Sequence, residues 1–241
     1  MHMDKILFCH AAAWLIFAGS AMGAETPAVS EKALTNGNPS VSLMERKQAM
    51  KEHQSGEWTP DLTAVEKKTL LAIARDTLEW CVRGAGHPFP METYTITDAL
   101  RRDMATFVTL KIGGELRGCI GSLSPEESLY QSVHHNAVNA ALRDPRFQPV
   151  APSELGRIRL DVSILSPIRD ISSLAEFKVG KQGIILSKSG RRAVFLPEVA
   201  VEQGWSMEET LTHLSRKAGL PAEAWRKDAS FQVFESYVLS E

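Results

Sequence analysis

The chain has 241 residues, of which 44% are hydrophobic and 23% charged, enough apolar material for one substantial core or two small subdomains sharing one. Its formal net charge of -2, with no run of Lys or Arg, excludes the basic face that nucleic-acid binding needs. No metal or cofactor is expected, because the His and acidic residues lack ligand spacing: His134 and His135 are adjacent rather than one helical turn apart.

The first two dozen residues read as a signal peptide. Lys5 precedes an apolar run from Ile6 to Gly19, and the small residues SAMGA follow. Residues 1–24 are therefore expected to be removed near Ala21 to Ala24, giving a periplasmic or secreted protein. The apolar run falls short of the roughly 20 residues of a membrane span, so no stable span is expected in the mature chain. If the leader is misread, the protein is cytoplasmic. Residues 25–59 are polar and read as a leader or linker, and residues 60–241 as the folded domain.

Thr63 to Glu66 has the capping-box pattern. Leu70, Ala74, Leu78 and Cys81 then recur at helical spacing until Gly84 and Gly86 end the helix. Two β-prone runs flank Gly113-Gly114, a two-residue hairpin signal. Ser124-Pro125 reads as the start of a second helix with Leu129, Val133 and Ala137 on its apolar side, ending before Asp144-Pro145. Ile158 to Leu165 alternates as a strand, and GIIL and AVFL form a second hairpin across SKSGRR. A second capping box, Ser206 to Glu209, opens a helix that closes at Gly219, and a single strand from Phe231 to Val238 ends the chain. Strands and helices interspersed without regular βαβ alternation give an α+β fold.

Leu116-Arg117-Gly118-Cys119-Ile120-Gly121 is the densest candidate for chemistry. In an unbroken strand Leu116 and Ile120 share one face, and Arg117 and Cys119 the other. A guanidinium beside a thiol favours the reactive thiolate, so Arg117 and Cys119 are the catalytic candidates; Gly118 and Gly121 leave room for a ligand. The alternative is a buried structural cysteine beside packing glycines, with a bulge that shifts the alternation. On the following helix Ser132, Asn136, Asn139 and Arg143 form a polar stripe, and His134 is the nearest base candidate. Asp144-Pro145-Arg146-Phe147 reads as a turn, from which Arg146 can join Arg117 to hold an anionic small molecule. Cys81 and Cys119 allow one disulfide, without fixing whether it forms.

The segments FVTL…LRGCIGSL, NA..AA..DPRF.PV..SEL, VS.LSP and FLPEVA.E.GW follow one another in an order that resembles the AMMECR-one domain family, known in bacteria and archaea as protein A of the AmmeMemoRadiSam system. The resemblance implies two subdomains of mainly antiparallel strands, packed by helices around a shared cleft that LRGCIG lines. Gly118, Gly121, Asn136, Asp144 and Arg146 are then ligand-binding candidates beside Cys119 and Arg117. It also implies an uncharacterised small-molecule enzyme or ligand-binding protein, or else a noncatalytic interaction module acting with Memo-like and radical-SAM proteins. Whether the chain is an enzyme is left open by the family. The exported leader sits awkwardly with an intracellular radical-SAM partner.

Overall fold

The computed structural model describes Leu7–Phe8 and residues 51–241. The expected cleavage region, and the expected linker up to residue 50, lie outside the described residues. In chain order the strands are β1 (Leu7–Phe8), β2 (Lys51–Gln54), β3 (Thr106–Ile112), β4 (Glu115–Gly121), β5 (Ile158–Leu165), β6 (Arg169–Ile171), β7 (Gly183–Lys188), β8 (Arg191–Phe195), β9 (Ser230–Phe234) and β10 (Ser236–Ser240). The helices are α1 (Ala64–Val82), α2 (Asp98–Arg101), α3 (Leu129–Leu142), α4 (Pro197–Gln203) and α5 (Met207–Lys217). No helix among the described residues is long and apolar enough to cross a membrane.

Two antiparallel sheets carry the fold. One has the order β1-β4-β3-β5-β10-β2, the other β6-β9-β7-β8. The α1 and α3 helices cover one face of the larger sheet, sealing a core built on Leu70, Leu78, Val133, Ala137, Ile120 and Val162. Phe107, Cys119 and Leu165 point from the same three central strands into a second core, filled by Ile185, Val194, Leu211, Phe231 and Val233. The larger sheet is thus the wall between two cores, and β3, β4 and β5 are buried on both faces.

Both capping boxes form. The Thr63 hydroxyl accepts from the Glu66 amide while the Glu66 carboxylate accepts from Thr63, and Ser206 and Glu209 do the same at α5. Gly113 and Gly114 take left-handed φ values of 61° and 90°, which a two-residue β-turn of this hand requires.

Two expectations are corrected. The second helix begins at Leu129, not Ser124. The Ser122 hydroxyl accepts from the Ser124 amide in a local turn, and the start of α3 is set by the Leu129 amide donating to the Arg102 carbonyl at 2.9 Å. The single closing strand is two: Glu235 separates β9 in the smaller sheet from β10 in the larger, pinned where its amide donates to the Ser166 hydroxyl. At the outer edge of the larger sheet Lys51–Gln54 pairs with Ser240–Tyr237.

Candidate functional site

The Gly113-Gly114 turn sends β4 back along β3 with Cys119 opposite Thr109 and Ile120 opposite Val108. The register slips once, between Leu110 opposite Gly118 and Lys111 opposite Leu116, leaving Arg117 as the extra residue of a bulge. That bulge overturns the expected faces. Leu116 packs into the same core as Cys119, whereas Ile120 lies in the other core with Leu110. Arg117 does not stand beside the thiol. It swings out to Glu154, donating from Nε at 2.7 Å and Nη2 at 2.9 Å. Arg117 together with the Ala151 amide holds the Glu154 carboxyl down to about 2.

Cys119 is fully buried, at 0% exposure, and its Sγ accepts from the Thr109 hydroxyl at 3.2 Å. Cys81 lies in the opposite core, so the two thiols do not pair with each other. Burial pushes the Cys81 thiol up to about 11. In the native protein neither thiol is expected to label within hours at neutral pH, and both should label once denatured. Quantitative labelling of Cys119 in folded protein, read by mass spectrometry, would contradict this geometry.

What β4 does present is its outer edge. The Cys119 amide, facing away from β3, donates to Asp144 Oδ2 at 2.9 Å, and the Cys119 carbonyl accepts from Arg146 Nη2 at 3.1 Å. One carboxylate and one guanidinium thereby satisfy a strand residue as a neighbouring strand would. They are joined to each other at 2.6 Å between Arg146 Nη2 and Asp144 Oδ2. The turn after α3 makes this possible: the Phe147 amide returns to the Asp144 carbonyl, and Asp144 Oδ1 accepts from the Arg146 amide. Burial works to raise the Asp144 carboxyl, but Arg146 and the Cys119 and Arg146 amides outweigh it and hold it below its usual value.

In an antiparallel strand, residues two apart direct their amide and carbonyl to the same side. Gly121 therefore faces the same outer edge as Cys119, and there Leu7 pairs with Gly121 and Phe8 with Ile120. The side-chain cap ends at Cys119 and a strand continues from it.

The remaining candidates are brought together, but as packing. A Cβ on Gly118 would lie 2.3 Å from the Ala140 carbonyl oxygen of α3, and one on Gly121 would strike the Phe107 ring and the Thr106 carbonyl. Asn136 is buried and donates to the Thr106 hydroxyl at 3.0 Å and to its carbonyl at 3.2 Å, tying α3 to β3. The Phe147 ring lies near both guanidiniums, 5.9 Å from Arg117 and 5.5 Å from Arg146. Each arginine already holds a carboxylate. His134 sits elsewhere, its Nδ1 2.8 Å from the Thr77 hydroxyl, and burial with the neighbouring His135 pushes it down to about 4. Sequence reasoning missed two groups. Glu154 stood inside the SEL segment, three residues after Ala151, yet only the fold reveals it as the partner of Arg117. No pattern announced that Leu7–Phe8 would pair with β4. Among the described residues no three His, Cys, Asp or Glu side chains gather as a metal site would require.

The family model AMMECR1 matches residues 71–239. A protein of Methanosarcina barkeri is 36% identical over 186 residues, covering 75% of this chain and 92% of its own. One of Methanothermobacter thermautotrophicus is 38% identical over 171 residues, covering 68% and 88%. The crystal structure of an uncharacterized protein, PH0010, from Pyrococcus horikoshii superposes with a TM-score of 0.68 at 30% identity, over 76% of this chain and 94% of that one. The matched span takes in the smaller sheet, the central strands β3, β4 and β5 of the larger one and the Asp144–Arg146 cap, and on that ground the chain belongs to the AMMECR1 family.

Proposed function

We propose that this domain is a noncatalytic interaction module that receives an extended peptide segment on the outer edge of β4. The observation that carries the reading is the antiparallel pairing of Leu7–Phe8 with Gly121–Ile120. An edge strand offers unpaired amides and carbonyls to any extended chain, a recognised mode of peptide recognition. Here Asp144 and Arg146 close the edge at Cys119, which fixes where an incoming strand must stop. A two-residue strand is held by few backbone bonds, each worth about 0.5–1.5 kcal/mol net, so its occupant can be exchanged. Removal of residues 1–24 during export would vacate the edge for a partner. Memo-like and radical-SAM proteins are candidates by family resemblance, provided they share its compartment. The enzymatic reading draws no support from the site, since Cys119 is buried and both Arg117 and Arg146 are ion-paired.

The test is hydrogen exchange at single amides in the full chain. Leu7→Pro removes the backbone donor at the pairing position. Gly121 is then expected to exchange at least about tenfold faster, while Cys119, bonded to Asp144, keeps its protection. Adding a soluble peptide carrying an extended apolar segment should restore protection at Gly121. If the variant exchanges like the parent and the peptide changes nothing at Gly121, the edge is not a strand-binding site.

A further inference from the structure

A cavity of about 410 Å³ lies where α1 gives way to the following loop, lined by Asp76, Trp80, Arg83, His87, Phe89 and Tyr94 among others. It shares no lining residue with the β4 edge. Its size falls within the range of small-ligand sites. The walls are aromatic. Trp80 and Phe89 meet edge to face at 5.7 Å, and Phe89 and Tyr94 lie parallel within 8° at 6.1 Å. Behind Phe89 the His134 ring packs at 4.6 Å.

The polar groups of this pocket decide what it can hold. Its side-chain donors are largely spent: Trp80 Nε1 donates to the His87 carbonyl at 2.7 Å, Thr93 Oγ1 to the Pro90 carbonyl at 2.8 Å, and the Tyr94 hydroxyl to the Asp76 carboxylate. His87 Nδ1 lies 2.8 Å from the Pro88 carbonyl. Arg83 is the cation at the rim, and Glu79 lies 3.9 Å from it. His134, kept neutral by burial, adds no positive charge from behind. What is left to meet a ligand is π-surface, the remaining acceptor capacity of the Asp76 carboxylate and, at the rim, the Arg83 guanidinium. An anion would find side-chain donors only at the rim, on Arg83, and none along the aromatic wall, where Trp80 and Tyr94 already donate elsewhere. An uncharged apolar ligand would cover Asp76 without offering it anything. A soft cation gains from both, since aromatic rings within about 6 Å attract it and the carboxylate neutralises it.

We propose that this pocket binds a small organic cation of the methylated-ammonium type, seated against Trp80, Phe89 and Tyr94 with Asp76 as its counter-charge. The chemistry is shared by free choline-like cations and by choline lipid headgroups, and the two sources are separable by experiment.

The experiment follows the Trp80 indole N–H resonance of the ¹⁵N-labelled full chain, assigned with Trp80→Phe, during titration with choline chloride. A saturable shift in the millimolar range is expected. The uncharged isostere 3,3-dimethylbutan-1-ol should bind about tenfold more weakly, and Asp76→Asn should weaken choline binding by about threefold or more. Asp76 is exposed, and the amide spectrum of the variant reports whether the fold is kept. Competition by phosphatidylcholine vesicles identifies the headgroup as the source, and its failure identifies the free cation. Three results would overturn the site: equal affinity for the alcohol, an unaltered affinity in folded Asp76→Asn, or no shift up to about 100 mM choline beyond that caused by equal sodium chloride.

Discussion

Replacing Gly118 by alanine is expected to destabilise the domain by about 3 kcal/mol or more, with urea denaturation as the measurement. The added Cβ would sit 2.3 Å from the Ala140 carbonyl oxygen and 3.3 Å from its carbon. These are backbone atoms of a buried helix, so no side-chain rotation relieves the contact. To restore ordinary separation, α3 would have to withdraw from β4 by about 1 Å, against interiors packed at crystal density. That motion would stretch the bonds from Asn136 to Thr106 and loosen the contact of Val133 and Ala137 with the sheet. Gly156→Ala is the control. A Cβ there meets nothing within 4 Å, so its effect should stay within about 0.5 kcal/mol. Similar losses in both variants would mean that α3 does not rest on Gly118.

This result would bear on how the LRGCIG segment is understood. Its glycines, its cysteine and its arginine invite a catalytic reading when seen as a string. In the fold each has a packing partner: Ala140 for Gly118, Thr109 for Cys119, Phe107 for Gly121 and Glu154 for Arg117. The pairing of Arg117 with Cys119 fails because alternation along a strand carries information only while the register is unbroken. One bulge reverses the faces of Leu116 and everything before it.

Other parts of the fold were legible because their causes are local. The capping boxes at Thr63 and Ser206 involve residues three apart, and the Gly113-Gly114 turn needs only two residues with positive φ. Where the cause is distant, sequence pattern misled. Ser124-Pro125 has the chemistry of a helix start, but α3 waits until Ser128, where Asp103 bridges to it and Arg102 receives the Leu129 amide. Phe231 to Val238 has the composition of one strand. Only the presence of two sheets, each claiming part of it, explains the break at Glu235. The short α4 carried Pro197 at its start and Gly204, at φ 65°, at its end, yet seven residues are too few for a periodicity to show.

The Asp144–Arg146 cap makes the other large prediction, and it depends on pH. Asp144→Ala is expected to cost about 3–5 kcal/mol at pH 7, the range for removing one member of a buried ion pair. The Asp144 side chain is 1% exposed, so the variant leaves the Cys119 amide without its acceptor and Arg146 without its carboxylate. Asp144→Asn should cost less, because the amide oxygen can still accept from Cys119 while the charge is lost. The Asp144 carboxyl is held below its ordinary value in the folded state, so its ionisation contributes stability that is fully present above the unfolded-state pKa. That contribution is lost as pH falls through the lower folded-state value. The gap between the parent protein and Asp144→Asn should therefore be widest near neutral pH and narrow steadily below about pH 4. Urea denaturation of both proteins at a series of pH values measures it. A gap that stays constant into acid would mean that Asp144 acts through its shape and hydrogen bonds alone, and that the charge of Arg146 is balanced by another group.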